Sequence, residues 1–123
     1  MVNPRNLLLA QFGIIAILAS LHLIGVANFL YWRLPWFDLV THFLGGAWAA
    51  LLAAWFLALR GKAADYFTCL LAALLFAVVW ELFEMQASII DLPTGALDTV
   101  KDLVMAAVGG IAGTLLAQFV SRQ

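Results

Sequence analysis

Hydrophobic residues in this chain gather into four long blocks, not into the short alternations of strands or the one-sided stripes of soluble helices. The blocks run from about Leu7 to Tyr31, Leu39 to Leu59, Tyr66 to Ile90 and Gly95 to Val120. A helix rises about 1.5 Å per residue, so some 20 apolar residues cross the roughly 30 Å hydrocarbon layer of a bilayer. Each block is long enough. The connectors WRLPWFD, RGKAAD and DLPTG are short. Pro35 and Pro93 mark two of them as breaks, because a prolyl ring removes an amide donor and clashes inside a helix. Thr94 is placed to cap the last helix. In lipid, backbone polar groups must be satisfied within their own segment. The pattern therefore predicts an all-α integral membrane protein, a single transmembrane domain over residues 1–123 folded as an antiparallel four-helix bundle. The first block is too long for the core of a cleavable signal and no small-residue cleavage site follows it, so it is expected to be a retained span.

Composition agrees and narrows the function classes. The chain is 66% hydrophobic and 11% charged, against roughly 45–50% and about 25% in soluble domains. The net charge of −1, with no basic run, argues against nucleic-acid binding. The single cysteine, Cys69, lies in the third apolar block and is expected to be a small buried hydrophobe. Arg5, Arg60, Lys62 and Arg122 would all lie on one side of a four-span protein, with Arg33 and Lys101 towards the other. Positive residues favour the cytoplasm, which places both termini and RGKAAD there. Trp32 and Trp36 then fall at the outer interface.

Against this apolar background the acidic residues are conspicuous. Asp38 and His42 share a face of the second span, Glu81 and Glu84 of the third, and Asp98 and Asp102 of the fourth, each pair at i,i+3 or i,i+4 spacing. Given the topology, all six lie in the outer half of the bundle, with His22 of the first span at similar depth. Glu81 and Glu84 are roughly 13 and 9 Å below the outer end. Beyond the pairs the same faces turn small, through Gly45, Gly46, Ala49 and Ala53 on one helix and Gly109 and Gly113 on another. Small residues let membrane helices approach closely, so the pairs are expected to point into the bundle.

Five carboxylates at insertion costs of about 2.5–3.5 kcal/mol each would total on the order of 12–18 kcal/mol in lipid. They must be hydrated, protonated or paired. Lys101 offsets one charge, and one or two divalent cations would offset the rest. The donor mixture suits magnesium, manganese, iron or zinc, and bundle-core metal sites use inward carboxylates in this way. Asp38, His42, Glu81, Glu84, Asp98 and Asp102 are therefore the expected metal ligands, with Glu81 and Glu84 the first choices for acid–base chemistry. Haem ligation by His22 and His42 is disfavoured by five nearby acids.

DLVTHFLGG, WELFE and DTVKDLVMAAVGG, in that order on spans two to four, resemble the YjdF-like family of small bacterial inner-membrane proteins. They are more distantly similar to the VanZ-like proteins associated with glycopeptide resistance. The resemblance covers about residues 38–113 and marks the same six residues together with Gly45 and Gly109 or Gly110. It implies a multi-pass protein of the bacterial inner membrane, in contact with lipid. Leu39, Glu84 and Asp102 stand where VanZ-like proteins have Lys, Gln and Asn. Two functions are compatible with these features. One is a metal-dependent membrane enzyme, a hydrolase or transferase acting on a lipid-linked or amphiphilic substrate at the outer leaflet. The other is an accessory subunit packed against a larger membrane complex or a second copy of itself.

Overall fold

The computed structural model describes residues 2–87 and 92–123. Five helices follow in order: α1 (Pro4–Ala27), α2 (Leu30–Arg33), α3 (Phe37–Leu59), α4 (Tyr66–Gln86) and α5 (Leu92–Val120). No strand occurs among the described residues. Four of these helices, α1, α3, α4 and α5, are long and apolar enough to span a membrane.

Helix boundaries differ from the apolar blocks where short polar residues intervene. α1 starts at Pro4 because the Asn3 side chain accepts from the Arg5 amide and proline suits the first helical position. It ends at Ala27 and not near Tyr31. There the Asn28 side-chain amide and backbone amide both donate to the Ile24 carbonyl, and Phe29 takes a left-handed conformation at φ 55°. Hydrophobicity could not show this, since Phe29 to Tyr31 are as apolar as the helix before them. α4 starts at Tyr66 after the Asp65 cap, whose carboxylate accepts from the Thr68 amide. It ends at Gln86, so the expected continuation through 88–90 lies outside the described residues. α5 takes up at Leu92, upstream of the cap expected at Thr94.

The termini and the α3–α4 connector meet at one end of the bundle. The Asn3 amide donates to the Ser121 carbonyl, Asn6 to that of Val120, and Gln118 to that of Ala64. Arg5, Arg60, Lys62 and Arg122 therefore share that end. Successive spans run antiparallel, yet the tightest pair is α3 with α5, which run in the same direction. Glycine explains it. A Cβ at Gly46 would run into the Ala106 backbone, one at Gly109 into Phe43, and one at Gly113 into Ala47. Backbone-to-backbone approach of this kind is the membrane route to dispersion contact without a hydrophobic driving force between helices. α4 seats Cys69, Ala73, Ala77 and Glu81, spaced four apart, in the groove beside the pair. α1 packs chiefly on α3 and leaves most of its surface uncovered. Trp32 and Trp36 are exposed at the end opposite the termini.

Candidate metal centre

Geometry of the site follows from the α3–α5 crossing. With Gly46 against Ala106, the residues one turn earlier on each helix, His42 and Asp102, face each other. Glu81 arrives from α4 at the end of its small-residue row. The result centres on one imidazole nitrogen. Nε2 of His42 lies 3.5 Å from Asp38 Oδ1, 3.6 Å from Glu81 Oε1 and 3.7 Å from Asp102 Oδ2. His42, Glu81 and Asp102 are buried, while Asp38 and Glu84 are half-buried.

These separations are too long for hydrogen bonds, which run about 2.7–3.2 Å between nitrogen and oxygen. His42 Nε2 and Glu81 Oε1 are accordingly buried without a hydrogen-bond partner among the described residues. Leaving a buried polar atom unsatisfied costs about 1–3 kcal/mol, more for a charged one. A tetrahedral ion with bonds of about 2.0–2.2 Å holds its ligands about 3.3–3.6 Å apart, and an octahedral ion at about 2.1 Å holds adjacent ones about 3.0 Å apart. The His42–Glu81 and His42–Asp102 distances are close to the tetrahedral edge and well beyond the octahedral one. Donor atoms of His42, Glu81 and Asp102 lie within 4.8 Å of one another, as do those of Asp38, His42 and Glu84.

Surrounding side chains orient the carboxylates. The Thr99 hydroxyl donates to Glu81 Oε2 at 3.0 Å, which leaves Oε1 turned towards His42. The Trp80 indole donates to Glu84 Oε1 at 2.9 Å; the Thr41 hydroxyl is committed to the Asp38 backbone carbonyl at 2.8 Å and stands 3.4 Å from Asp38 Oδ1. Such outer partners fix the direction of metal ligands.

Five of the six expected ligands converge: Asp38, His42, Glu81, Glu84 and Asp102. Asp98 does not. Its side chain is 71% exposed and pairs with Lys101 at 3.7 Å on the surface, so Lys101 is not the internal counter-charge expected from its position. The reason is helical phase. The face of α5 turned inward runs through Gly95, Asp102, Ala106, Gly109, Gly113 and Ala117, all buried. One turn above Asp102 this face passes through Thr99, which is i−3, and leaves the i−4 residue Asp98 outside. Thr99 is the site residue that acidic spacing missed, although its fit to the 3–4–3 repeat of small residues was visible in the sequence. His22 shares a 2.7 Å hydrogen bond with the Tyr31 hydroxyl and stands edge-on to Trp80. It belongs to neither group of metal-donor residues. Cys69 is fully buried, as expected.

A cavity of about 230 Å³ adjoins this cluster, lined by residues of α1, α3 and α4 with Tyr31 of α2 and Ala106 of α5. Asp38, His42 and Glu84 face it, whereas Glu81 and Asp102 lie behind.

The family model described as "Predicted membrane protein (DUF2238)" matches residues 8–123. No curated protein matches the chain, and no solved structure matches it.

Proposed function

The chain belongs to this family of predicted membrane proteins, and for it we propose that His42, Glu81 and Asp102 bind a divalent metal ion within the membrane, exposed to an adjoining cavity that admits an amphiphilic molecule. The observation that carries the reading is the unpartnered pair, His42 Nε2 and Glu81 Oε1, buried at 3.6 Å. A tetrahedral ion such as zinc would satisfy both atoms and offset two of the carboxylate charges. Three protein ligands leave one position open, as in catalytic zinc sites. An ion there would supply Lewis acidity or a water made acidic by coordination. Thr99 holds Glu81 in the ligating orientation, and Glu84, held by Trp80, stands on the cavity side where a proton acceptor is useful.

The positive-inside bias of Arg5, Arg60, Lys62 and Arg122 supports cytoplasmic termini. The metal layer would then lie in the outer half of a bacterial inner membrane. Elemental analysis of detergent-purified protein tests the metal reading. We expect about one zinc per chain in the wild type and in Asp98→Asn, and loss of the metal in Asp102→Asn. Equal metal content in Asp98→Asn and Asp102→Asn would defeat the assignment.

A second reading, an accessory subunit, is favoured by α1, of whose span only 11% is buried. Stable co-purification of a membrane partner that shields α1 from lipid-phase labelling would support it.

A further inference from the structure

The cavity beside the metal centre has apolar walls and a charged end. Ile15 and Leu18 of α1 face Phe76 and Ala77 of α4, while Asp38 and Glu84 close the end with Tyr31 and Trp80 beside them. The backbones of α1 and α4 do not approach each other, and the rings of His22 and Trp80 meet across the gap with centroids 6.2 Å apart. At about 230 Å³ the space exceeds the roughly 150 Å³ of an apolar cavity that takes up benzene. It is large enough for a stretch of alkyl chain.

We infer that this cavity binds a single-chain amphiphile with an ammonium head, its nitrogen between Asp38 and Glu84 and its chain between α1 and α4. The inference rests on the metal reading for the division of the acids: Glu81 and Asp102 go to the ion with His42, and Asp38 and Glu84 remain. Charge selects the head. Among the described residues two carboxylates line the cavity and no lysine or arginine does. Lys101, the basic residue nearest in sequence to the site, is 54% exposed and pairs with Asp98 outside. One dication offsets two of the four carboxylates, and the two that remain repel a phosphate and, once ionised, attract a cation.

Reach permits it. Donor oxygens of Asp38 and Glu84 lie no more than 4.8 Å from each other, near enough for one ammonium to bond both. An ammonium giving two hydrogen bonds of about 2.8 Å at a tetrahedral angle spans about 4.6 Å between its acceptors. The aromatic rings of Trp80 and Tyr31 add favourable faces for a cation.

Photocrosslinking tests the inference on the full chain, purified with zinc in a neutral maltoside detergent. Three dodecyl probes carry a diazirine in mid-chain and differ only in the head: amine, phosphate or alcohol. Zinc content is measured on the same samples. The amine probe is expected to label peptides containing Ile15–Leu18 and Phe76–Ala77 at least tenfold more than the other two. Ala19→Trp, which fills the cavity from its α1 side, should lower that labelling about tenfold with zinc content unchanged. The double variant Asp38→Asn with Glu84→Gln should lower it similarly. Equal labelling by all three probes, or amine labelling undiminished in both variants, overturns the inference while one zinc per chain keeps the metal reading standing. Head-specific labelling that the variants abolish, in protein without zinc, establishes the amphiphile site and sinks the metal. Neither zinc nor labelling sinks both.

Discussion

The two ends of the bundle use the same close helix packing and treat their polar atoms in opposite ways. At the end holding the termini, Asn3, Asn6 and Gln118 each close on a carbonyl or amide of another segment or of their own cap. The buried Thr114 hydroxyl donates back to the Gly110 carbonyl at 2.7 Å. The core between them, with Leu7, Ala50, Leu51, Ala54, Cys69 and Ala117, is fully buried and apolar. At the opposite end, His42 Nε2 and Glu81 Oε1 are just as buried but have no hydrogen-bond partner among the described residues. Satisfied polar groups stabilise a fold; unsatisfied ones need a ligand. The contrast separates a half whose polar atoms are closed from one that leaves two of them open, within one continuous α3–α5 interface.

Forcing the interface apart should abolish the contrast altogether. Gly109→Leu would drive a side chain into the Phe43 backbone, and since backbone cannot yield, we expect a loss of about 3 kcal/mol or more. Both the folded fraction in a steric-trapping or thermal assay and zinc content should fall. A variant that melts like the wild type would mean that α3 and α5 are not in backbone contact.

Removing one ligand should affect one end only. Glu81→Gln keeps the shape and deletes a charge, so metal affinity should drop by more than about 100-fold, beyond the range of outer-partner losses. Metal-free Glu81→Gln should nevertheless melt above metal-free wild type, because fewer carboxylates repel one another. Chelation should lower the wild-type melting temperature and hardly change that of the variant. Identical melting of both proteins with and without chelator would leave the acidic layer a hydrated polar patch.

A finer cut is Thr99→Val, which removes the hydroxyl holding Glu81 Oε2. The expected loss is about 10–100-fold in metal affinity, with about 1–3 kcal/mol off metal-free stability from the orphaned Glu81 Oε2. Isothermal titration measures it, and unchanged affinity would show that Glu81 is oriented without Thr99.

The smallest effect belongs to the closed half. Asp65 caps α4, and the Thr68 amide hydrogen bond holds its carboxyl below the ordinary aspartate range. A depressed carboxylate stabilises the fold above its unfolded pKa, and that contribution is lost as pH falls through the folded value. Asp65→Asn, still able to cap, should remove this acid-side dependence from melting curves without touching metal content.

Much of the fold was legible because a bilayer imposes strict rules on a sequence. Block length set the number of spans, the unbroken apolar character set the class, and i,i+3 and i,i+4 spacing put His42 with Asp38 and Glu84 with Glu81 on common faces. Glycines in spans two and four announced a close contact, because a missing Cβ is a local fact. These are properties of single helices and can be read one helix at a time.

Which helices meet, and at what rotation, is a property of pairs, and only the folded chain decided it. Asp98 and Thr99 differ by one position, about 100° of helix rotation. The phase of α5 against α3 turned the threonine towards Glu81 and sent the aspartate outside with Lys101. Asn28 ended α1 through a side-chain bond that competes with hydrophobicity on equal terms, which no apolar block reveals. The cavity arose because α1 leans on α3 and stays clear of α4, an outcome of packing that involves no single residue. The sequence by itself thus determined a four-span membrane protein with a buried acid–histidine layer. Tertiary packing brought five of the six expected residues together and fully buried three of them, because burial and mutual distance exist only between elements.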